Sequence, residues 1–251
     1  MKALDVGLGA RRVLDDLAEG RVVAVYSRAA YLRFPAGLLA VTSAWVPPGP
    51  LSLRCPALPA LRPGAAVWTD GSRLSGPGWA VALDAPTWVG ELPPPPTVAL
   101  PCAVAVPDLT GLAARLGGRG PGLTPAGDDV LAGALLAARA RCGPAAEPEL
   151  SAVAASVRTT EPALAFLAWA ARGQCIEPAH AVLLALTARD EARAHAAATR
   201  LVAVGASSGA ALLAGLSLGL GDRDQRPRRE NRTTWVGRRP GLDQRWRWSV
   251  G

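Results

Sequence analysis

Along the first 90 residues the apolar positions come in short runs of β-branched and aliphatic side chains, each closed by a proline- or glycine-bearing turn. Runs of that length and composition predict strands over residues 21–26, 31–34, 38–42, 51–54, 65–69 and 79–83, with turns at Pro47-Pro48-Gly49-Pro50 and Asp70-Gly71. Ahead of them, Val13, Leu14 and Leu17 fall on one face of a short amphipathic helix over residues 9–18. Regularly spaced short strands suggest a small antiparallel β sandwich or barrel. Four prolines at 93–96 can continue neither a strand ladder nor a helix and mark the end of the β part.

Beyond Pro107 the apolar segments lengthen to helical size, at 108–116, 128–141, 147–157, 162–171, 178–187, 190–204 and 208–219. Pro162 and Pro178 follow Glu161 and Glu177, and proline is well tolerated in a helix's first turn. The expected fold class is therefore α+β: a β-rich domain over 1–96, a helical bundle-like domain over 97–221, and a disordered Arg/Trp tail over 222–251.

Composition adjusts this picture in three ways. The net charge of +7 is uneven: nine arginines against four acids from Asp222 onward give that stretch +5, which leaves +2 on residues 1–221. Lys2 is the sole lysine, so the surplus of arginine reads as a coding bias, and a nucleic-acid partner is disfavoured even though tryptophans are interspersed in the tail. Cys55, Cys102, Cys142 and Cys175 form no CxxC pair, and His180 and His195 are the two histidines, so neither zinc nor a disulfide framework is indicated. With no signal-peptide pattern after Met1, a cytoplasmic location is expected. Residues 201–220 carry no charge and contain Gly205-x-x-x-Gly209 and Gly215-x-x-x-Gly219. A membrane span is disfavoured there, because Ser207, Ser208 and the glycines dilute the hydrophobicity and 205–209 reads as a loop.

The segment most suggestive of chemistry is 117–129, GGRGPGLTPAGDD, where glycines crowd the approach to a helix. Such loops expose N–H groups to an anion or phosphate. Thr124 is the expected N-cap with Pro125 at the first helical position, and Gly127 in the first turn calls for a packing or ligand explanation. No Gly-Lys-Ser/Thr follows, so this is not a P-loop. Asp128 and Asp129 are either first-turn charges without a chemical role, or groups that hold Mg²⁺ or the amide hydrogens of a substrate.

A second segment has the same design: GDDVLAG at 127–133 and GAALLAG at 209–215 each follow a hydroxyl-bearing loop, Thr124 in one case and Ser207 and Ser208 in the other. The pattern predicts two helices packed through their glycines, with both N-termini aimed at one pocket. Arg158, Thr159 and Thr160 offer a guanidinium and two hydroxyls at a turn. With Ser156 they read Ser-x-Arg-Thr, similar to the carbamoyl-phosphate loop of ornithine and aspartate carbamoyltransferases, while a capped helix junction explains the same residues. His180, near a helix start, is either an acid–base group or a structural histidine.

Taken in order, GPGLTPAGDD at 120–129 with Leu131-Ala-Gly133, Arg158-Thr-Thr160, Ala171-Arg-Gly173, His180, and GASSG at 205–209 with Leu213-Ala-Gly215 resemble the AllH family, named after a subunit of the heteromeric oxamate carbamoyltransferase. The resemblance implies carbamoyl transfer between oxamate and phosphate, releasing carbamoyl phosphate from oxalurate in allantoin and purine breakdown. It also implies a hetero-oligomer with AllF-like and AllG-like partner subunits. The expected binding residues are Gly120, Gly122, Thr124, Gly127, Arg158, Thr159, Thr160, His180, Ser207, Ser208 and Gly209. Asp128 and Asp129 are the expected catalytic pair, with Mg²⁺ a candidate cofactor. The alternatives are a non-catalytic scaffold subunit, or a binding protein for another small carboxylate or amide.

Overall fold

The structure is a computed structural model that describes residues 1–94 and 108–220; the tail expected over 222–251 and the end of the proline run lie outside these residues. The strands are β1 (Asp5–Gly7), β2 (Leu17–Val25), β3 (Ala29–Phe34), β4 (Gly37–Ser43), β5 (Ser52–Cys55), β6 (Ala66–Asp70), β7 (Arg73–Gly76), β8 (Trp79–Ala82) and β9 (Thr87–Trp88). They form one curled sheet, a half-barrel, in the order β8-β7-β6-β2-β3-β4-β5-β1-β9. Most neighbours pair antiparallel, as the short strands and tight turns lead one to expect. Two pairs, β4–β5 and β1–β9, are parallel. The proline-rich segment after β4 is too stiff for a hairpin and carries the chain back to pair in the same direction. Curling brings the far edge round to the chain start: Ala3 N–H donates to Ala82 C=O at 3.0 Å, and Ala82 N–H to Met1 C=O at 2.9 Å.

Helix α1 (Leu8–Leu14) is shorter than the expected 9–18, because Leu17 and Ala18 already pair in β2 with Asp70 and Thr69. Its Ala10 and Leu14 are buried with Val6, Leu32, Leu39, Leu53, Leu74 and Val81 in the sheet's own core. The β6–β7 turn is held by Asp70, whose Oδ1 accepts from the N–H groups of Ser72 (2.9 Å) and Arg73 (2.7 Å). This is the side-chain-to-backbone bonding that makes aspartate a turn former. Strand β4 is buried along almost its whole length, so both of its faces are covered.

The helices are α2 (Leu109–Leu116), α3 (Ala126–Cys142), α4 (Glu147–Ser156), α5 (Glu161–Ala171), α6 (Glu177–Thr187), α7 (Glu191–Val202) and α8 (Ser208–Leu220), with one 3-10 turn before α4. Each of the seven helices predicted beyond Pro107 is present within two residues of its expected ends. Helix α3 is the axis of this half: twelve of its seventeen residues are buried. Covered on so many sides, the middle of the helix, residues 130–138, has no polar face and is apolar all round rather than amphipathic. The uncharged stretch 201–220 is broken by a turn between α7 and α8, and no helix among the described residues is long and apolar enough to cross a membrane.

Helices α3 and α8 touch backbone to backbone. A methyl group added at Gly133 would run into the Leu212 carbonyl oxygen, and one at Gly215 into that of Val130. The repeated Gly-x-x-x-Leu-Ala-Gly pattern therefore marks a helix pair packed through its glycines, as the two matching segments predict.

Candidate functional site

Close packing of α3 against α8 sets their two N-terminal loops side by side. Thr124 Oγ1 and Ser208 Oγ lie 3.5 Å apart, although their residues are separated by more than eighty positions. Below them, the two adjacent aspartates of α3 take different parts, because successive helical residues point in directions about 100° apart.

Asp128 is 2% exposed and both of its oxygens are engaged: Oδ1 accepts from Gly118 N–H at 2.8 Å, and Oδ2 from the Thr159 hydroxyl at 2.5 Å. It braces the glycine-rich loop against the turn before α5. Thr160 completes that brace. Its hydroxyl donates to Leu123 C=O, and its oxygen accepts from Ala163 N–H at 3.2 Å as the N-cap of α5. The segment 158–160 is thus a capped helix junction with Arg158 exposed beside it.

Asp129 is the opposite case. Its Oδ2 is buried without a hydrogen-bond partner. Burial, chiefly, pushes its carboxyl up from 3.8 to about 7; hydrogen bonding from the Ser208 hydroxyl opposes this, and the charge of Asp128 adds to it. A carboxyl that is half protonated near neutrality, with the Ser208 hydroxyl at its side, can give or take a proton or pair with an amide.

Several expected binding groups are used by the protein itself. Pro125, not Thr124, holds the N-cap position of α3, which leaves the Thr124 hydroxyl free to face Ser208. Gly127 N–H donates to Arg119 C=O at 2.9 Å, and the N–H groups of Asp128 and Asp129 both point to Pro125 C=O. Gly209 N–H donates to Val204 C=O at 3.0 Å. These amides are therefore not an anion cradle, and the site's donors are hydroxyls. Side chains at Gly127 and Gly209 would strike the carbonyl oxygens of Leu116 and Leu201, so both glycines serve packing. Gly120 and Gly122 have φ of +125° and +90°, and the space around Gly122 is open. Ser207 is exposed at the mouth of the turn.

His180 is not brought to this cluster as a free acid–base group. Its Nε2 accepts from Cys175 N–H at 2.9 Å and its Nδ1 bonds Glu91 C=O at 2.8 Å, which fixes a neutral tautomer; burial lowers its pKa. Gln174 exchanges two hydrogen bonds with the Gly90 backbone, so these two side chains pin the chain leaving β9 to the helices. Nor do the aspartates suit Mg²⁺. With both Asp128 oxygens taken, Asp129 alone is left, and no group of three or more His, Cys, Asp or Glu that could hold a metal occurs among the described residues.

One neighbour was not singled out from the sequence. Burial, first of all, pushes the phenol of Tyr31 on β3 up to about 12, and the charges of Tyr26 and then Asp129 add to it. The signal was present in the alternation of β3, which sets Tyr31 and Arg33 on the face opposite Ala30, Leu32 and Phe34.

Two surface clefts lie elsewhere, one between α6 and α7 and one beside Trp45. The polar geometry around Asp129, rather than the depth of a cavity, marks the candidate site. No curated protein and no solved structure matches the chain. The AllH family, described as oxamate carbamoyltransferase subunit AllH, does match it over residues 116–220, from the end of α2 through α8, the segment that holds both loops.

Proposed function

We propose that the chain is the AllH-type subunit of an oxamate carbamoyltransferase-like complex, acting with AllF-like and AllG-like subunits. Its site around Asp129 would take a small amide carboxylate of the oxalurate class. The observation that carries this reading is the unpartnered Asp129 Oδ2 in a carboxyl bonded by the Ser208 hydroxyl, which in turn faces that of Thr124, inside the segment that matches the family. In phosphorolysis a phosphate oxygen adds to the carbamoyl carbon of oxalurate, and the bond from that carbon to the oxamate nitrogen breaks. The nitrogen then needs a proton, and protonated Asp129 supplies it; the acid recovers one from the phosphate that was added. Thr124 and Ser208 orient the amide, exposed Arg158 attracts the anionic ends, and Asp128, Thr159 and Thr160 hold the loop in place.

The test is carbamoyl-phosphate formation from oxalurate and phosphate by the complex reconstituted with its partner chains. Asp129→Asn is expected to lower kcat by about 100-fold or more, the usual scale for a general acid. A scaffold reading is favoured by one observation, namely that Asp128 and the first amides of α3 are spent on the protein itself. It predicts that Asp129→Asn leaves turnover unchanged, and that result would overturn the catalytic assignment.

A further inference from the structure

The matched segment begins at residue 116, yet the sheet also reaches the site. Along β3, Ala30, Leu32 and Phe34 point into the sheet's core, so Tyr31 and Arg33 point outward. Arg33 pairs with Glu161, the first residue of α5, its Nε donating to Oε1 at 2.9 Å. Immediately before Glu161 stand Thr159 and Thr160, the two hydroxyls bonded to Asp128 and to the glycine-rich loop. The outer face of β3 therefore runs beside the loop cluster, and Tyr31 lies two residues along that face from the Arg33 contact. The Tyr31 ring is steadied edge-on by Tyr26, with centroids 6.3 Å apart. Its hydroxyl has no hydrogen-bond partner among the described residues and is not sealed from solvent.

We infer that Tyr31 is a ligand-contacting residue of the Asp129 site, so that the β half supplies a phenol donor to the carbonyl oxygen of the bound amide carboxylate. This rests on the function proposed above. The phenol keeps its proton at neutral pH, because burial and the neighbouring charge hold it well above the range in which it would ionise. As the phosphate oxygen adds to the carbamoyl carbon, the electron pair of the C=O bond moves onto its oxygen, and the Tyr31 O–H donates a hydrogen bond to that oxyanion without losing its proton. The pair returns to re-form the carbonyl when the C–N bond breaks and the nitrogen takes the Asp129 proton. A donor aimed at an oxyanion is most effective when it is already in place and shielded from water.

Tyr31→Phe removes only the hydroxyl and keeps the ring against Tyr26. The expected results are an unchanged Tm, a shift in the pKa of Asp129 followed by carboxyl NMR, weaker calorimetric binding of oxalurate and oxamate to the full-length chain, and a loss in kcat of ~100-fold in the reconstituted complex. A merely structural tyrosine would lower Tm and leave the Asp129 titration where it was. If wild-type protein and Tyr31→Phe bind these probes equally, the Tyr31 assignment is overturned while the proposed function stands. If wild-type protein binds neither probe, the proposed function falls, and the Asp129 titration still decides Tyr31: no shift in the variant overturns its placement at the site, and a shift upholds it.

Discussion

Asp128 and Asp129 are adjacent, identical in chemistry and placed in the same helical turn, yet one is a brace with both oxygens engaged and the other keeps a buried oxygen without a partner. Their different surroundings set a pH dependence with a definite sign. The Asp129 carboxyl is raised to about 7 in the folded protein against 3.8 for the free group. Between those values the folded chain holds a proton that the unfolded chain has released. This group's favourable contribution is therefore complete below about 3.8 and is lost as pH rises through 7. Asparagine cannot ionise, so Asp129→Asn should gain stability relative to wild type as pH rises, by roughly 1–3 kcal/mol after allowing for partial exposure. Urea titrations at about pH 5 and about pH 8 measure this, and a stability difference that is the same at both values would contradict the raised carboxyl. The same ionisation predicts phosphorolysis that declines above about 7, where Asp129 has lost the proton the leaving nitrogen needs.

At the scale of elements, the pairing of α3 with α8 decides where the two loops meet. The contact has no room for a β-carbon at Gly133 or Gly215, and at Gly219 an added methyl would crowd Ala137. Neither helix can slide or roll to make room without moving its N-terminal loop. Gly133→Ala is expected to destabilise the protein by about 2 kcal/mol or more, since overpacking a rigid backbone contact exceeds any gain in helix propensity. It should also weaken ligand binding, because the 3.5 Å spacing of Thr124 and Ser208 depends on that contact. Thermal melts of Gly133→Ala beside an exposed helical control, such as Ala210→Gly, separate the two effects. The exposed control should cost only about 1 kcal/mol through propensity alone.

For the molecule as a whole, the sheet and the helices meet along α5. Trp169 is buried there, its ring set against Gly9 of α1, with the guanidinium carbons of Arg12 and Arg172 at 5.3 and 5.2 Å from its centroid. One arginine comes from each half, so the indole is a shared anchor. Trp169→Ala should cost about 3–5 kcal/mol, as truncating a buried aromatic does. If the two cores stabilise one another through this seam, the variant's thermal unfolding separates into two transitions where wild type shows one; calorimetry distinguishes these outcomes. The Arg33–Glu161 pair bridges the halves as well, but about half of each side chain is exposed and solvent screens it, so its contribution is small beside that of the tryptophan.

What the sequence determined by itself was local: which stretches become helix, where their prolines and glycines start and stop them, the α+β division, and the two matching glycine segments that also carry the family resemblance. These features follow from backbone geometry and apolar spacing, which act over a few residues. Three strands escaped it, β1, β7 and β9, because runs of two to four residues carry too little pattern and exist only through their partners. Tertiary structure alone decided the chemistry. It spent the amides of Gly127 and Gly209 on nearby carbonyls, fixed His180 between two backbone groups, satisfied Asp128 and left half-buried Asp129 with one buried, unpartnered oxygen beside a hydroxyl from a distant loop. A carboxyl's pKa and a donor's availability depend on what lies within a few ångströms in space, and for Asp128, Asp129 and His180 part of that environment, at Thr159, Ser208 and Glu91, comes from segments far away along the chain.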